Sequence, residues 1–445
     1  MGKMNSGVLS RRAFLGGTAG VAAVFSIVPR HVIAKSKEAP PSEKLNVAGI
    51  GCGGQAFHDL SKVALQCNIV ALCDADDERA KEAFAKWPDA KRYRDFRVML
   101  EKEKGIDAVV VATPDHFHAV AAMGAMQLGK GVYVEKPMAH SIGEVRKLME
   151  AAKKYKAPTQ MGNQGHSFYA CRLTKTWIED GAIGDVTEVR CWTNRPTWPQ
   201  GMDRPTDTPP VPATLDWNIW LGPAPERPYN PAYCPRNWRG WYDFGCGALG
   251  DMGCHIMDSP FWALNLGSPT RVSAETSGIK SDSFPSWSII KYEFPERGKM
   301  PPVTLTWYDG GKMPERPPEL EEGQRMGDED GGCMFVGSKG KLMAGTYGNG
   351  GRLIPESKMK AYKQPEVPYP KSPGQHEEWI EACKGGKPAG ANFDYAGPLT
   401  EVVLLGNIAL RAGQPIEWDP VNMKIKNAPD AEQYVSSKCR QGWTL

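Results

Sequence analysis

The chain has 445 residues, which is enough for two ordinary domains. A hydrophobic fraction of 41% and a charged fraction of 24% are typical of a globular protein and exclude a disordered one. The net charge of +3 is due to residues 1–34, which carry four basic residues and no acidic one. The rest has 50 basic and 51 acidic residues, so its charge indicates no nucleic-acid partner.

Residues 1–34 have the features of an export signal. The sequence Ser-Arg-Arg-Ala-Phe-Leu at 10–15 is a twin-arginine signature, and a short, Gly/Ala-rich apolar run follows it. Small residues at 32–34 then offer a cleavage site. We expect a twin-arginine signal peptide over 1–34, a linker over 35–44, and a periplasmic or otherwise exported protein without a stable membrane span. The alternative is an uncleaved anchor or a cytosolic tail.

The eleven cysteines show no C-x-x-C or other zinc spacing, so no metal site is predicted. They are scattered through predicted strands and helices, as buried small apolar residues usually are. A disulfide is compatible with the periplasm, but the sequence names no pair.

A strand–turn–helix–strand pattern begins at Leu45. The pattern predicts a buried strand to Ile50, a helix from Gln55 to about Gln66, and a second strand from Ile69 to Cys73. Between the first strand and the helix lies a G-x-G-x-x-G motif, formed by Gly49, Gly51 and Gly54. In this context the motif predicts a dinucleotide site, with the pyrophosphate at the helix N-terminus beside Gln55.

Asp74 follows the second strand, 25 residues after Gly49. Its carboxylate is placed to accept hydrogen bonds from a ribose 2′-hydroxyl and would repel a 2′-phosphate. The predicted cofactor is therefore NAD, with NADP less favoured.

The alternation of strands and helices continues to about residue 162. Further strands are predicted at 108–112, 131–135 and 158–162, and further helices at 96–103, 118–128 and 141–155. The last of these helices opens with a capping box, Ser141 and Glu144. The carboxyl ends of such strands carry the ligand site, which nominates Thr113, Pro114, His118, Glu135, Lys136, Asn163 and Gln164. Pro137 keeps Lys136 out of helical conformation, so that the lysine points over the crevice.

Asp251 and His255 stand four residues apart in a helix predicted from about Ala248 to Asn265. This spacing stacks two side chains on one helix face. A carboxylate beside an imidazole orients the ring and tunes its basicity, although an ion pair on a helix surface is the simpler explanation of the spacing alone.

These motifs together resemble the Gfo/Idh/MocA oxidoreductases. The matching features are the glycine motif, Ala112-Thr113-Pro114 with His118, Glu135-Lys136-Pro137, and Gly247-Ala-Leu-x-Asp251-x-x-x-His255. The resemblance implies an α/β fold with an N-terminal Rossmann domain (45–165) and a C-terminal α+β domain (166–445) that has a large open antiparallel sheet. It also implies a catalytic set of Lys136, Asp251 and His255.

The second half agrees with that architecture. Strands are predicted at 186–193, 270–276, 286–294, 303–308, 333–337 and 340–344, with helices at 172–180, 376–383 and 399–411. Residues 194–247 are rich in Pro and Trp, and Trp238 and Trp241 are candidate sugar platforms. Packing of an irregular loop explains the tryptophans equally well. Residues 309–330 are polar and Gly/Pro-rich, which suggests a mobile lid or an oligomer arm.

The predicted function is hydride transfer between NAD and a hydroxyl-bearing carbon of a sugar, polyol or glycoside. His255 exchanges the hydroxyl proton, Lys136 polarises the oxygen, and Asp251 orients His255 or holds a neighbouring hydroxyl.

Three other functions stay open. A redox-neutral, NAD-dependent glycosidase of the same superfamily needs a further base, for which His166, Tyr169 and Tyr242 are positional candidates. A carbohydrate-binding protein with retained nucleotide does not need all three catalytic residues. A metal enzyme built on His116, His118 and His255 lacks a complete ligand set. An open sheet face also predicts a homo-oligomer.

Overall fold

The computed structural model describes residues 43–445, in which Leu45–Leu445 form one compact unit. The predicted signal peptide lies outside the described residues. No helix within 43–445 has the length and apolarity that a membrane crossing requires.

A parallel sheet of six strands forms the first half. Its strands are β1 (Asn46–Ile50), β2 (Asn68–Cys73), β3 (Lys91–Tyr93), β4 (Ala108–Val111), β5 (Gly131–Val134) and β6 (Thr159–Met161). The connecting helices are α1 (Gln55–Val63), α2 (Asp77–Lys86), α3 (Phe96–Lys102), α4 (Asp115–Gln127) and α5 (Ile142–Tyr155). The strand order β3-β2-β1-β4-β5-β6 puts the carboxyl ends of β1, β2, β4 and β5 along one edge. The predicted capping box of α5 is confirmed.

A mostly antiparallel sheet of nine strands forms the second half. Its strands are β7 (Val186–Thr193), β8 (Arg271–Thr276), β9 (Ser288–Phe294), β10 (Val303–Tyr308), β11 (Gly331–Gly337), β12 (Gly340–Gly345), β13 (Arg352–Ile354), β14 (Ile416–Asp419) and β15 (Lys424–Ile425). The order is β13-β12-β11-β7-β10-β9-β8-β14-β15, with only the β7–β10 pair parallel. β9 and β10 alternate between buried and partly exposed side chains, since one face of this part of the sheet packs on helices. The predicted fold class is confirmed.

The helices of the second half join the two sheets. They are α6 (Tyr169–Glu179), α7 (Trp217–Leu221), α8 (Gly247–Ile256), α9 (Asp258–Ala263), α10 (Glu356–Ala361), α11 (Gln375–Cys383) and α12 (Phe393–Ala412). The long, buried α12 packs against α5, α8 and β8. After residue 370 the chain returns to the parallel sheet of the first half. Trp379 of α11 lies in the core of that half, and Trp443 packs on Phe96 of α3. The boundary at 165/166 falls between the two sheets and stays a prediction.

The helix predicted over 248–265 is broken at Met257 into α8 and α9. Pro260 explains the break, because it has no N–H to donate to the carbonyl of Ile256 and its ring crowds that carbonyl. The sequence reading also missed α2, although Asp76 caps it by accepting a hydrogen bond from the N–H of Glu78.

Candidate active site

A cavity of about 880 Å³ runs along the carboxyl edge of the parallel sheet to α8. It brings together most of the residues predicted from the sequence. Those that line it are Gly51, Gly54, Gln55, Asp74, Thr113, Pro114, His118, Glu135, Lys136, Gln164, Trp238, Asp251 and His255. Gly49, Asn163 and Trp241 are not among the lining residues.

One end of the cavity has the shape that a dinucleotide needs. Gly51 has φ +83°, and a Cβ there would stand 2.6 Å from the carbonyl oxygen of Ala112, so only glycine fits the turn. The carboxylate of Asp74 accepts hydrogen bonds from the N–H groups of Cys52 (2.9 Å) and Asp76 (3.0 Å), which fixes it at the end of β2. Burial raises the pKa of Asp74 to about 6. The residues present therefore fit a bound NAD.

Arg79 of α2 also lies at this end and was missed from the sequence. A Cβ on Gly54 would stand 2.7 Å from its guanidinium, so the arginine covers the glycine turn. Its charge is placed to balance a pyrophosphate. Gly49 has a different role, because a Cβ there would meet Leu60 of α1 at 2.8 Å. It lets the helix pack closely on the sheet and does not line the cavity.

His118 of α4 holds two loops together. Its Nδ1 lies 2.8 Å from the carbonyl oxygen of Pro137 and its Nε2 lies 2.9 Å from that of Thr113. Burial lowers its pKa to about 4, so the ring is neutral and donates to one carbonyl at a time. With both nitrogens facing backbone carbonyls, His118 positions the loops that carry Lys136 and Thr113.

Lys136 and Asp251 form an ion pair in the centre of the cavity. The Lys136 Nζ donates to the Asp251 Oδ1 at 3.1 Å and to its carbonyl oxygen at 2.9 Å. Burial acts to lower the pKa of Lys136, but the Asp251 and Glu135 charges outweigh it and hold that pKa above its ordinary value. Burial acts to raise the pKa of Asp251, but Lys136 and Arg239 outweigh it and hold that pKa well below its usual range. Both groups are charged near neutral pH.

The predicted role of Asp251 in orienting His255 is not what the structure shows. Arg239 Nε donates to Asp251 Oδ1 at 3.1 Å, and Arg195 Nε lies 3.7 Å from Oδ2. The carboxylate therefore faces three cations, and it forms no hydrogen bond with the imidazole one helical turn away. The two arginines were missed because they come from the segment after β7, about 45 residues apart and without a motif. The only signal in the sequence is the arginine content of 195–239.

His255 lies at the wall of the cavity with its ring free. It is 5% exposed, packs edge-on against Tyr347 with centroids 5.0 Å apart, and makes no hydrogen bond with another described residue. Burial, and then the charge of Lys136, lower its pKa to about 3. A neutral imidazole with unpartnered nitrogens can accept a proton from a bound hydroxyl group.

The two tryptophans predicted as sugar platforms, Trp238 and Trp241, have different surroundings. Trp241 is fully buried and donates its indole N–H to the carbonyl of Ala232, so it is no sugar platform. Trp238 lines the cavity, but Arg239 stacks on its ring at 4.2 Å. Asn163 is buried, and its side-chain amide has no partner among the described residues. Its neighbour Gln164 does line the cavity.

A buried acidic cluster lies behind Lys136. Asp59 of α1 accepts hydrogen bonds from Gln55 and His376, both at 3.0 Å. Burial raises the pKa of Asp59 to about 7; burial and the charge of Asp59 raise that of Glu135 to about 8. The two carboxyl groups share a hydrogen bond, and Glu135 also lines the cavity beside Lys136.

The further bases required by a glycosidase do not line this cavity. His166 is buried and its Nδ1 lies 3.1 Å from Asp258, whose carboxylate also accepts from Tyr395. Tyr169 is 48% exposed, and Tyr242 lines a separate cavity of about 560 Å³.

The histidines considered for a metal are also engaged. The ring nitrogens of His116 lie 3.2 Å from the carbonyls of Phe244 and Trp220, and those of His118 face two other carbonyls.

Two family models match the chain. One, an oxidoreductase-family NAD-binding Rossmann fold (GFO_IDH_MocA), covers residues 44–163. The other, the C-terminal alpha/beta domain of the same oxidoreductase family, covers 185–301. Together they span more than half of the chain.

Characterised relatives include a levoglucosan dehydrogenase of Pseudarthrobacter phenanthrenivorans, 27% identical over 48% of this chain and 50% of its own length. Inositol 2-dehydrogenase 1 of Saccharopolyspora erythraea is 30% identical over 33% of this chain and 44% of its own length. The chain thus spans about half the length of these relatives.

Solved structures share the fold at low identity. The WlbA dehydrogenase from Bordetella pertussis, in complex with NADH and UDP-GlcNAcA, superposes with a TM-score of 0.60 at 17% identity, over 84% of this chain and 99% of that one. An aldose-aldose oxidoreductase from Caulobacter crescentus gives a TM-score of 0.56 at 18% identity over the same shares.

Proposed function

The chain belongs to the Gfo/Idh/MocA family of oxidoreductases, with an NAD-binding Rossmann domain, and from this premise we propose that it oxidises or reduces a hydroxyl-bearing carbon of a carbohydrate. The observation that carries the proposal is the free ring of His255 beside the charged Lys136 at the wall of the dinucleotide cavity. The relatives named as dehydrogenases of levoglucosan and inositol support a sugar or polyol as substrate.

Each residue has a distinct task. A bound NAD would supply the hydride acceptor for oxidation and, as NADH, the hydride donor for reduction. Gly51, Gly54 and Asp74 hold the dinucleotide, and Asp74 favours NAD over NADP through its charge. His255 accepts the hydroxyl proton in oxidation and returns it in reduction. Lys136 donates a hydrogen bond to the same oxygen and stabilises the charge that develops there.

Asp251 acts on Lys136. Its carboxylate accepts the Lys136 ammonium at 3.1 Å and thereby sets where the ammonium points. It is a positioning residue for the lysine, and the role as orienter of His255 is replaced.

Paired variants test the proposal. His255→Asn and Lys136→Met should each lower kcat on an oxidised sugar about a hundredfold or more, because each removes a proton-transfer or oxyanion contact. NAD affinity, measured by titration, should stay within a few-fold for His255→Asn. Arg204→Gln serves as a control, since Arg204 is exposed and outside the cavity lining. Near-normal turnover by His255→Asn would overturn the assignment.

A related assay distinguishes a dehydrogenase from a glycosidase. NADH absorbance and aglycone release are followed together with glycosides as substrates. NADH formation without aglycone release supports a dehydrogenase. Release without net NADH would replace the proposal by the redox-neutral glycosidase.

We further propose export through the twin-arginine pathway, supported by the signature at 10–15. That pathway carries folded proteins, which suits an enzyme that acquires NAD in the cytoplasm. The mature N-terminus should lie near Lys35 in the periplasmic fraction, and an intact Met1 there would contradict cleavage.

We also propose a homo-oligomer formed by the outer face of the nine-stranded sheet. Thr304, Thr306 and Tyr308 of β10 alternate with its core residues and are partly exposed. Light scattering gives the mass, and Thr306→Arg should lower it if this face is the interface.

A further inference from the structure

The substrate end of the cavity carries an excess of positive charge. Lys136, Arg195 and Arg239 surround Asp251 there, and this lining carboxylate ion-pairs with all three. Arg236 lines the same cavity. Asp330 lies behind Arg195 and pairs with it at 3.0 Å. Asp251 and Asp330 are thus the carboxylates that pair with these cations, and Arg236 pairs with neither.

Asp115 does not restore the balance. It also lines the cavity, but burial raises its pKa to about 7, so that it is only partly ionised at neutral pH. Its Oδ2 accepts the N–H of Cys246 at 3.0 Å, which directs that oxygen to the start of α8.

Arg239 is held in place with part of its donor set unused. Its Nε donates to Asp251, and its guanidinium lies 4.2 Å from the ring centroid of Trp238 and 5.7 Å from that of Trp198. The two terminal nitrogens make no hydrogen bond with any residue in 43–445. A planar fork with both terminal NH2 groups free is suited to bind a carboxylate bidentately.

Arg236 adds a second uncommitted cation. It is exposed, lines the cavity, and has neither an ion pair nor a hydrogen bond within the described part of the chain. The cofactor pyrophosphate does not account for these charges, because the glycine turn that receives it has its own arginine, Arg79. A neutral sugar would leave the excess charge uncompensated next to the reacting carbon.

We propose that the substrate is an acidic sugar, such as a hexuronic acid or its glycoside, whose carboxylate binds the free terminal nitrogens of Arg239, with Arg236 of the same segment as a second cation. This assignment rests on the proposed function and narrows it from carbohydrates in general to sugar acids. Arg239 and Arg236 are then specificity residues, which bind the acid group and leave the hydroxyl chemistry to Lys136 and His255.

The bound carboxylate also affects the base. Burial first, then the charge of Lys136 and, more weakly, that of Arg195 keep the pKa of His255 low. An anion among these cations offsets their charge and moves that pKa back toward its ordinary value. The acid group would thus make His255 a better proton acceptor when the correct substrate is bound.

The test compares each sugar acid with its own uncharged form. Glucuronate, galacturonate and mannuronate are assayed with NAD beside their uronamides, the parent hexoses and the hexose 6-phosphates. We expect kcat/KM for one acid to exceed that of its amide tenfold or more, and the ratio to fall in 0.5 M salt because a partly exposed pairing is screened. Equal rates for acid and amide, or preference for the phosphate, would overturn the proposal.

Variants assign the effect to the two arginines. Arg239→Gln and Arg236→Gln should each lower the ratio of kcat/KM for the acid over its amide about tenfold, because the lost contact is made to the acid group. Arg236 is exposed and unpaired, so its variant is expected to fold even if Arg239→Gln does not. Arg204→Gln, in the same segment but outside the cavity, should keep the preference for the acid.

A binding measurement separates this inference from the proposed function. Quenching of bound NADH fluorescence by the acid reports binding without turnover. If neutral sugars are oxidised with no preference for acids, the inference fails and the proposed function stands. If acids bind in an Arg239-dependent way but no sugar is oxidised, the proposed function fails and the carboxylate site stands.

Discussion

Replacing Asp251 by asparagine should destabilise the protein more than removing its partner Lys136. The carboxylate is 12% exposed and faces Lys136 and Arg239 at 3.1 Å and Arg195 at 3.7 Å. Breaking a buried ion pair from one side costs about 3–5 kcal/mol, because a charge stays buried without its partner. The three cations are partly solvated at the cavity wall, so we expect a loss of about 2 kcal/mol for Asp251→Asn.

Lys136→Met should have the opposite profile. It removes one of three cations that share a single carboxylate, and the two arginines continue to pair with Asp251. We expect a stability change of less than about 1 kcal/mol together with the large loss of kcat. Asp203→Asn is a matched control, since Asp203 also pairs with a cation but is 84% exposed. Exposed pairs contribute about 0–1 kcal/mol.

The pH dependence gives a further check. The pKa of Asp251 is lowered in the folded state, so its stabilisation is fully present above the carboxyl's ordinary value of 3.8 and is lost as the pH falls through the folded pKa. The pKa of Lys136 is raised in the folded state. The stabilisation that Lys136 contributes is therefore fully present below the ordinary lysine value of 10.5 and is lost as the pH rises through the folded pKa.

The free energies of unfolding of the wild type and Asp251→Asn, measured in urea, should therefore differ by a constant amount between about pH 5 and 9. Below about pH 4 the two values should converge. Equal stability at pH 7, or a difference that persists unchanged at pH 3, would refute the reasoning.

Three other changes test the site. Asp74→Ser should raise the ratio of kcat/KM for NADP over NAD about tenfold or more, because it removes the charge that repels a 2′-phosphate; an unchanged ratio contradicts this. The raised pKa of Glu135 should make the free energy of unfolding of the wild type fall as the pH rises from 4.5 to 8. In Glu135→Gln this fall, measured by urea unfolding, should be smaller. Parallel pH profiles of the two proteins would contradict this. Gly51→Ala should abolish NAD binding in a titration, because its Cβ would collide with the carbonyl of Ala112, and retained affinity would show that the turn can relax.

Most of the parallel half, apart from α2 and β3, could be predicted because its signals are local. The glycine motif lies between a strand and a helix, and the capping residues Ser141 and Glu144 are three positions apart in sequence and bonded in the structure. The strands β9 and β10 could also be predicted, because one buried face makes apolar side chains recur at every second residue. The break at Met257 was equally local, and Pro260 signalled it in a sequence that otherwise reads as one helix.

The electrostatics of the site could not be predicted in the same way. The four-residue spacing of Asp251 and His255 correctly placed both at the cavity but suggested that the carboxylate serves the imidazole. Its partners are decided by which cations reach it in space, and Arg195 and Arg239 come from a segment of irregular backbone. No periodicity or spacing in such a segment shows where its side chains converge.

The resulting arrangement links Lys136 and His255, the two groups proposed to act in catalysis, through charge. Asp251 keeps Lys136 protonated and fixed, while burial and, after it, the charge of the same lysine lower the pKa of His255 and keep its ring neutral. A donor and an acceptor of protons are thus set side by side at one pH without any hydrogen bond between them. Because the acidic group is outnumbered by cations, the balance is sensitive to any anion that enters. In the proposed function, catalysis and the choice of substrate charge therefore depend on the same small cluster of residues.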